Sequence, residues 1–132
     1  MNAADDDALG QAGVTAFKNA MQQLGWNEGQ NVRMDVRWGA NDVERDRLYA
    51  SELLALKPDV ILAAGTLGVA AVHRLTRTLP IVFIRVTDPV GAGFVTSLAR
   101  PSGNITGFML FEYSLSGKWL ELLKEIAPHV TR

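Results

Sequence analysis

Apolar and polar residues follow two rhythms along this chain. Leu9, Ala12, Ala16, Phe17, Ala20 and Leu24 recur every three or four residues, the spacing of one helix face. Asp5, Asp6 and Asp7 place negative charge at the start of that helix, where its dipole favours it, and Gly25 stands where a helix commonly stops. Residues 26–30 form a Gly-bearing loop. Then the rhythm changes: Val32, Met34, Val36 and Trp38 alternate with Arg33, Asp35 and Arg37. Strict period two predicts a strand with one buried and one wet face, placed near a sheet edge, where its charges discourage edge-to-edge pairing. Asn41 is a candidate cap for a second helix. Glu44 three residues on makes a near match to a capping box, and Val43, Ala50, Leu53 and Leu54 form the apolar side. Lys57-Pro58-Asp59 ends it.

The next stretch organises the rest. Val60 to Ala64 is an unbroken apolar run ending in Gly65-Thr66, and a helix-compatible segment follows from Val69 to about Thr78, carrying Val72 and Leu75. A short apolar run bounded by turn residues predicts a strand buried on both faces. After Pro80, Ile81-Val82-Phe83-Ile84 is a second such strand, with Arg85-Val86-Thr87-Asp88-Pro89-Val90-Gly91 at its carboxyl end. A short helix over residues 93–98, a turn over 100–104 and a third buried or half-buried strand over 105–109 come next. Leu115, Trp119, Leu122, Leu123 and Ile126 mark one face of an amphipathic helix, with Trp119 read as core, and Pro128 ends it. Alternation of this kind predicts an α/β fold, a three-layer, mostly parallel sheet flanked by helices in a flavodoxin-like arrangement. A doubly wound sheet normally opens on a central strand. Residues 1–7 are too short and polar to be one, so the first central strand is expected to be missing.

Totals narrow the function. A chain of 132 residues suits one domain over residues 1–132 with a real core. The net charge of −1, from 13 basic and 14 acidic residues, gives no electrostatic case for nucleic acid or an anionic membrane. With no cysteine, disulfides and thiolate metal sites are excluded. No apolar stretch approaches the roughly 18 residues of a membrane span. The acidic start lacks the basic and apolar parts of a signal peptide, so no export signal is expected in it.

The tests for chemistry mostly exclude. Gly91-Ala92-Gly93-Phe94-Val95-Thr96 begins like a dinucleotide fingerprint but lacks its third small residue. No phosphate loop or nucleophile elbow is present. His73 and His129 are far apart in sequence without cysteines, so neither a metal nor another cofactor is called for; His73 is placed on a helix surface. Asn104-Ile105-Thr106 matches a glycosylation triplet, a pattern that often arises by chance. What remains is the carboxyl edge of the sheet, where open α/β sheets bind ligands. Free N–H groups at the helix start after Gly65 favour a carboxylate or phosphate. Thr66 either caps that helix or offers its hydroxyl to a ligand. Asp88 either faces the crevice, to pair with an ammonium, bind a metal or act as a base, or bonds its own turn. Glu112 and Tyr113 face the crevice or start the last helix. With the resemblance described next, the leading reading is a binding lobe without catalysis; the alternatives are a small flavodoxin-like enzyme using Asp88 and a truncated lobe with no independent activity.

A series of short stretches carries a resemblance. They are Leu24-Gly25-Trp26-Asn27-Glu28-Gly29-Gln30-Asn31-Val32, Lys57-Pro58-Asp59-Val60-Ile61 with Gly65-Thr66, Pro80-Ile81-Val82-Phe83, Thr87-Asp88-Pro89-Val90-Gly91, residues 100–107, and Lys118-Trp119-Leu120-Glu121-Leu122-Leu123-Lys124. In order and spacing, over nearly the whole chain, they resemble ABC transporter substrate-binding proteins of the tryptophan/tyrosine-binding-like group. The resemblance implies one lobe of a type I periplasmic binding protein, the N-terminal one. It also implies capture of a small amino-acid-like solute for an ABC permease, and a periplasmic location. Its ligand loops map onto Gly65, Thr66 and Leu67, onto Thr87 and Asp88, and onto Leu110, Phe111 and Glu112. Phe108-Met109-Leu110-Phe111 departs from the small polar or acidic residue that members binding aromatic amino acids carry there, which weakens the case for an aromatic ligand. The first strand and second lobe of that fold have no counterpart in this sequence. The strands flanking the gap are expected to pair directly, to borrow a strand from another chain as a homo-oligomer through the unpaired sheet, or to fold marginally.

Overall fold

The structure, a computed structural model, describes residues 8–101, 103–110 and 114–128. The elements are α1 (Ala8–Gln23), α2 (Val43–Ala55), β1 (Ile61–Ala64), α3 (Gly65–Leu75), β2 (Ile81–Val86), β3 (Ile105–Met109) and α4 (Ser114–Ile126). The three apolar runs become three parallel strands in the order β1-β2-β3, with Ile61 beside Ile81 and Ile81 beside Ile105. This is the expected α/β class with a parallel sheet flanked by helices. Asn104 stitches the start of the sheet: its carbonyl accepts the Ile81 N–H at 2.8 Å, and its side-chain amide donates to the Leu79 carbonyl at 2.6 Å.

The strands expose two different faces. Ile61, Ala63, Ile81, Phe83 and Ile105 are buried and join Val69 and Val72 of α3 in one core cluster. Partly buried Leu53 and Leu54 of α2 close over it. Gly107 sits so close to Phe83 that an added Cβ would strike the Phe83 backbone and ring, so a side chain there would push β3 away. On the alternate positions, Leu62, Val82 and Ile84 are half-buried and Phe108 is 74% exposed.

Several expectations are corrected. Residues 32–38 keep the period-two alternation of half-buried and exposed positions as far as Val36, but form no strand; among the described residues one bridge, Glu28 to Val32, is all the pairing there. A parallel strand needs a neighbour's backbone, and among the described residues β1 pairs only with β2, so direct pairing of the segments flanking the gap does not occur. The cap of α2 is Asp42, not Asn41: an Asp42 carboxylate oxygen accepts the Arg45 N–H at 2.9 Å, while Asn41 takes a left-handed backbone with φ 59°. α3 begins at Gly65, four residues before the apolar spacing suggested, because Gly65 adopts φ 74° and turns the strand straight into the helix. Residues 93–98 form no helix. One turn over 89–93 closes with the Phe94 N–H on the Pro89 carbonyl at 2.9 Å, and Gly93 at φ 73° ends it. Finally, α4 is the amphipathic helix expected, yet Trp119 is 53% and Ile126 81% exposed, so Trp119 is not core. A helical apolar stripe says that a face should be buried, not that a surface is there to bury it.

Candidate ligand-binding site

At the carboxyl edge of β1 and β2 lies a cavity of about 300 Å³, lined by Asn41, Ala64, Gly65, Thr66, Leu67, Arg85 and Thr87. β1 delivers Ala64 to its rim, and the chain turns at Gly65 into α3. The residue before the helix is Ala64, which has no side chain able to cap, and it makes no side-chain cap hydrogen bond. The leading N–H groups therefore point out of the helix with no side chain from the cap to satisfy them. Thr66 lies inside the first turn rather than at the cap, and is exposed.

β2 supplies the other wall through an irregularity. Ile84 pairs with Phe108 and Val86 with Met109, so Arg85 is an extra residue opposite a single step of β3. It takes φ 58°, a left-handed conformation costly for a residue with a side chain. Such bulges bend a strand and re-aim a side chain, and here the bulge carries Arg85 and Thr87 to the cavity. Asn41, also left-handed, closes a third side from the loop before α2. Two of the seven lining residues, Asn41 and Arg85, are thus non-glycine residues with positive φ, the kind of backbone strain that collects at ligand sites.

Of the sequence-derived candidates, Gly65, Thr66, Leu67 and Thr87 come together in this cavity. Asp88 does not line it. Asp88 Oδ1 accepts the Gly91 N–H at 2.7 Å, and a Cβ on Gly91 would collide with Oδ2, so this carboxylate is folded into its own turn. Leu110 is half-exposed, donates its N–H to the Val86 carbonyl at 3.0 Å and is not part of the lining. Phe111 and Glu112 lie outside the described residues, as do Tyr113 and His129. Asn41, Ala64 and Arg85 are residues that the sequence did not single out as ligand contacts. Asn tolerates the left-handed region, which is the one signal Asn41 offered. Nothing in an apolar run announces the bulge at Arg85.

A second, shallower hollow lies at the other end of α3, where His73 and Arg77 face Phe94 and Asn104. His73 is half-buried and meets Phe94 edge-on at 5.7 Å, rather than lying free on the helix surface. Burial, with Arg77 beside it, holds its imidazole below the usual histidine value. Among the described residues no cluster of histidine and carboxylate groups is arranged to hold a metal, and no helix is long and apolar enough to cross a membrane.

Comparisons with known proteins bear on the family and the fold. The tyrosine-binding protein of Clostridioides difficile (strain R20291) is 36% identical over 112 residues, 85% of this chain and 32% of that protein. Among solved structures, the ligand-free, open form of a substrate-binding protein with adhesive properties from Clostridium difficile superposes with a TM-score of 0.77 at 34% identity, over 90% of this chain and 40% of the other. A conserved domain protein from Vibrio cholerae gives 0.75 at 32% identity, over 88% and 38%. A streptococcal ABC domain in complex with L-Trp gives 0.73 at 25% identity, over 88% and 38%. The chain thus spans about a third of the length of its curated relative. Residues 4–132 match the family described as ABC transporter substrate binding protein, and the chain belongs to that family.

Proposed function

We propose that this chain serves as one lobe of a solute-binding protein that captures a small amino-acid-like molecule at the carboxyl edge of its sheet and hands it unchanged to an ABC permease in an import system. The location that goes with this role is extracytoplasmic, the periplasm in a two-membrane cell. The observation that carries the reading is the meeting of Gly65, Thr66, Leu67 and Thr87 in one cavity at the uncapped start of α3. Relatives described as tyrosine-binding and as an L-Trp complex support the amino-acid class of ligand. The enzyme alternative is disfavoured by Asp88, whose carboxylate is engaged by its own turn rather than aimed at the cavity. Self-association belongs to the same proposal: among the described residues β1 is paired on one side only, and a second copy can add its own β1 there across a two-fold axis.

Calorimetry against the amino acids tests the reading. Heat of binding is expected for at least one, and Thr66→Val should weaken it roughly tenfold, the cost of one well-placed hydrogen bond. Binding left intact by Thr66→Val and Thr87→Val together would move the site elsewhere.

A further inference from the structure

We propose that Arg85 is the anchor for a carboxylate of the ligand, so that the cavity selects anionic over cationic forms of the same skeleton. The proposal rests on the cavity being the ligand site and adds which chemistry it takes. Among the described residues, Arg85 is the one charged group in the lining; its neighbours there are the neutral Asn41, Ala64, Gly65, Thr66, Leu67 and Thr87. Arg33, Arg37 and Arg47 are each tied to a carboxylate at 2.9, 3.0 and 3.2 Å. Arg85 has no such tie to any described residue, and it is exposed at the rim. The acid nearest in sequence is held off, because Asp88 Oδ1 accepts from Gly91 and Oδ2 is turned on the same glycine.

The bulge gives this cation its place. In a regular strand Arg85 would continue the alternation of β2, between Ile84 and Val86, over the sheet faces. The extra residue at this step of the register puts it instead in a left-handed conformation beside Thr87 and the start of α3. A guanidinium offers a planar fork that matches a carboxylate with two parallel hydrogen bonds. The N–H groups at the start of α3 add partial positive charge on the facing wall. Both sides of the cavity therefore carry the sign that a carboxylate needs and an ammonium does not.

Three molecules of one skeleton separate the possibilities. Tyrosine carries both charges, hydroxyphenylpropionate lacks the amine, and tyramine lacks the carboxylate. Each is titrated into the full chain while the amide NMR signals of Gly65, Thr66 and Thr87 are followed. The two carboxylates are expected to shift these amides, with tyramine at least roughly tenfold weaker. Arg85→Gln should weaken both carboxylates about tenfold and leave tyramine unchanged, and Arg85→Lys should recover part of the loss, since it keeps the charge but not the fork. Tyramine binding as tightly as the carboxylates, or Arg85→Gln weakening all three alike, overturns the assignment of Arg85 while leaving the cavity as the site. If neither these three nor any amino acid of the calorimetric series moves these amides, the reading of the cavity falls and the assignment with it.

Discussion

Gly39 faces the carboxylate of Asp46 so closely that a Cβ at residue 39 would overlap Asp46 Oδ1. Asp46 sits in the first turn of α2, is buried, and its Oδ2 has no hydrogen-bond partner among the described residues. Gly39→Ala should therefore destabilise the chain by about 1–3 kcal/mol, as overpacking does. Denaturant unfolding measures this, and a midpoint unchanged from the parent would show that the loop before α2 gives way freely.

The same pair sets a pH effect. Burial, with the neighbouring charge of Asp42, pushes the Asp46 carboxyl above its ordinary value of 3.8. The folded chain then binds this proton more readily than the unfolded one, so the contribution of Asp46 is full below that value and is lost as pH rises through the raised one. Asp46→Asn, which removes the charge, should raise stability near neutral pH by about 1 kcal/mol. The gain should shrink on acidification towards the ordinary carboxylate value. Melting curves of both proteins across pH check this; a gain that grows on acidification would contradict it.

His73 works in the opposite sense. Its imidazole is held below 6.5 by burial and by Arg77. Just under that value the unfolded chain binds the proton and the folded chain does not, so stability rises with pH across this window and is lost as pH falls. His73→Gln should flatten the slope just below 6.5. An unchanged slope would mean that other groups govern it.

Asp88 offers a cleaner separation of binding from stability. Asp88→Ala leaves the Gly91 N–H without its 2.7 Å partner and should cost about 1 kcal/mol of stability. Ligand affinity at the cavity should change less than for Thr66→Val. A large loss of affinity with no loss of stability would return Asp88 to the site.

The exposed stripe on α4 bears on association. Fully burying a side chain such as Leu122 or Ile126 is worth about 1.5–3 kcal/mol, and Trp119, Leu122, Leu123 and Ile126 are all half-exposed or more. With the edge of β1 that no described residue pairs, this predicts a scattering mass above the 14.4 kDa of one chain, rising with concentration. Trp119→Glu with Leu123→Glu should lower the mass if the helix drives association and leave it unchanged if the strand edge does. A steady 14.4 kDa would rule out both.

The three paired strands were legible in the sequence because unbroken apolar runs such as residues 60–64 and 81–84 have few other uses. α4 was legible as a helix but not as an exposed one, since periodicity fixes which residues share a face and not what meets it. Residues 32–38 carry a strand's alternation without a strand, because pairing is a property of the neighbour. At the cavity, Gly65 and Thr66 could be placed from a strand end alone, and Thr87 came with the family resemblance. Arg85 could not: its position follows from one extra residue in the register of β2 against β3, which leaves no mark in hydropathy.

That extra residue sets two demands against each other. At φ 58° Arg85 would be relieved by glycine, and Arg85→Gly should gain about 1 kcal/mol of stability while deleting the only cation among the described residues of the cavity. Selection for heat resistance alone would remove this arginine, so its retention in a stabilised library would be a record of selection for the ligand.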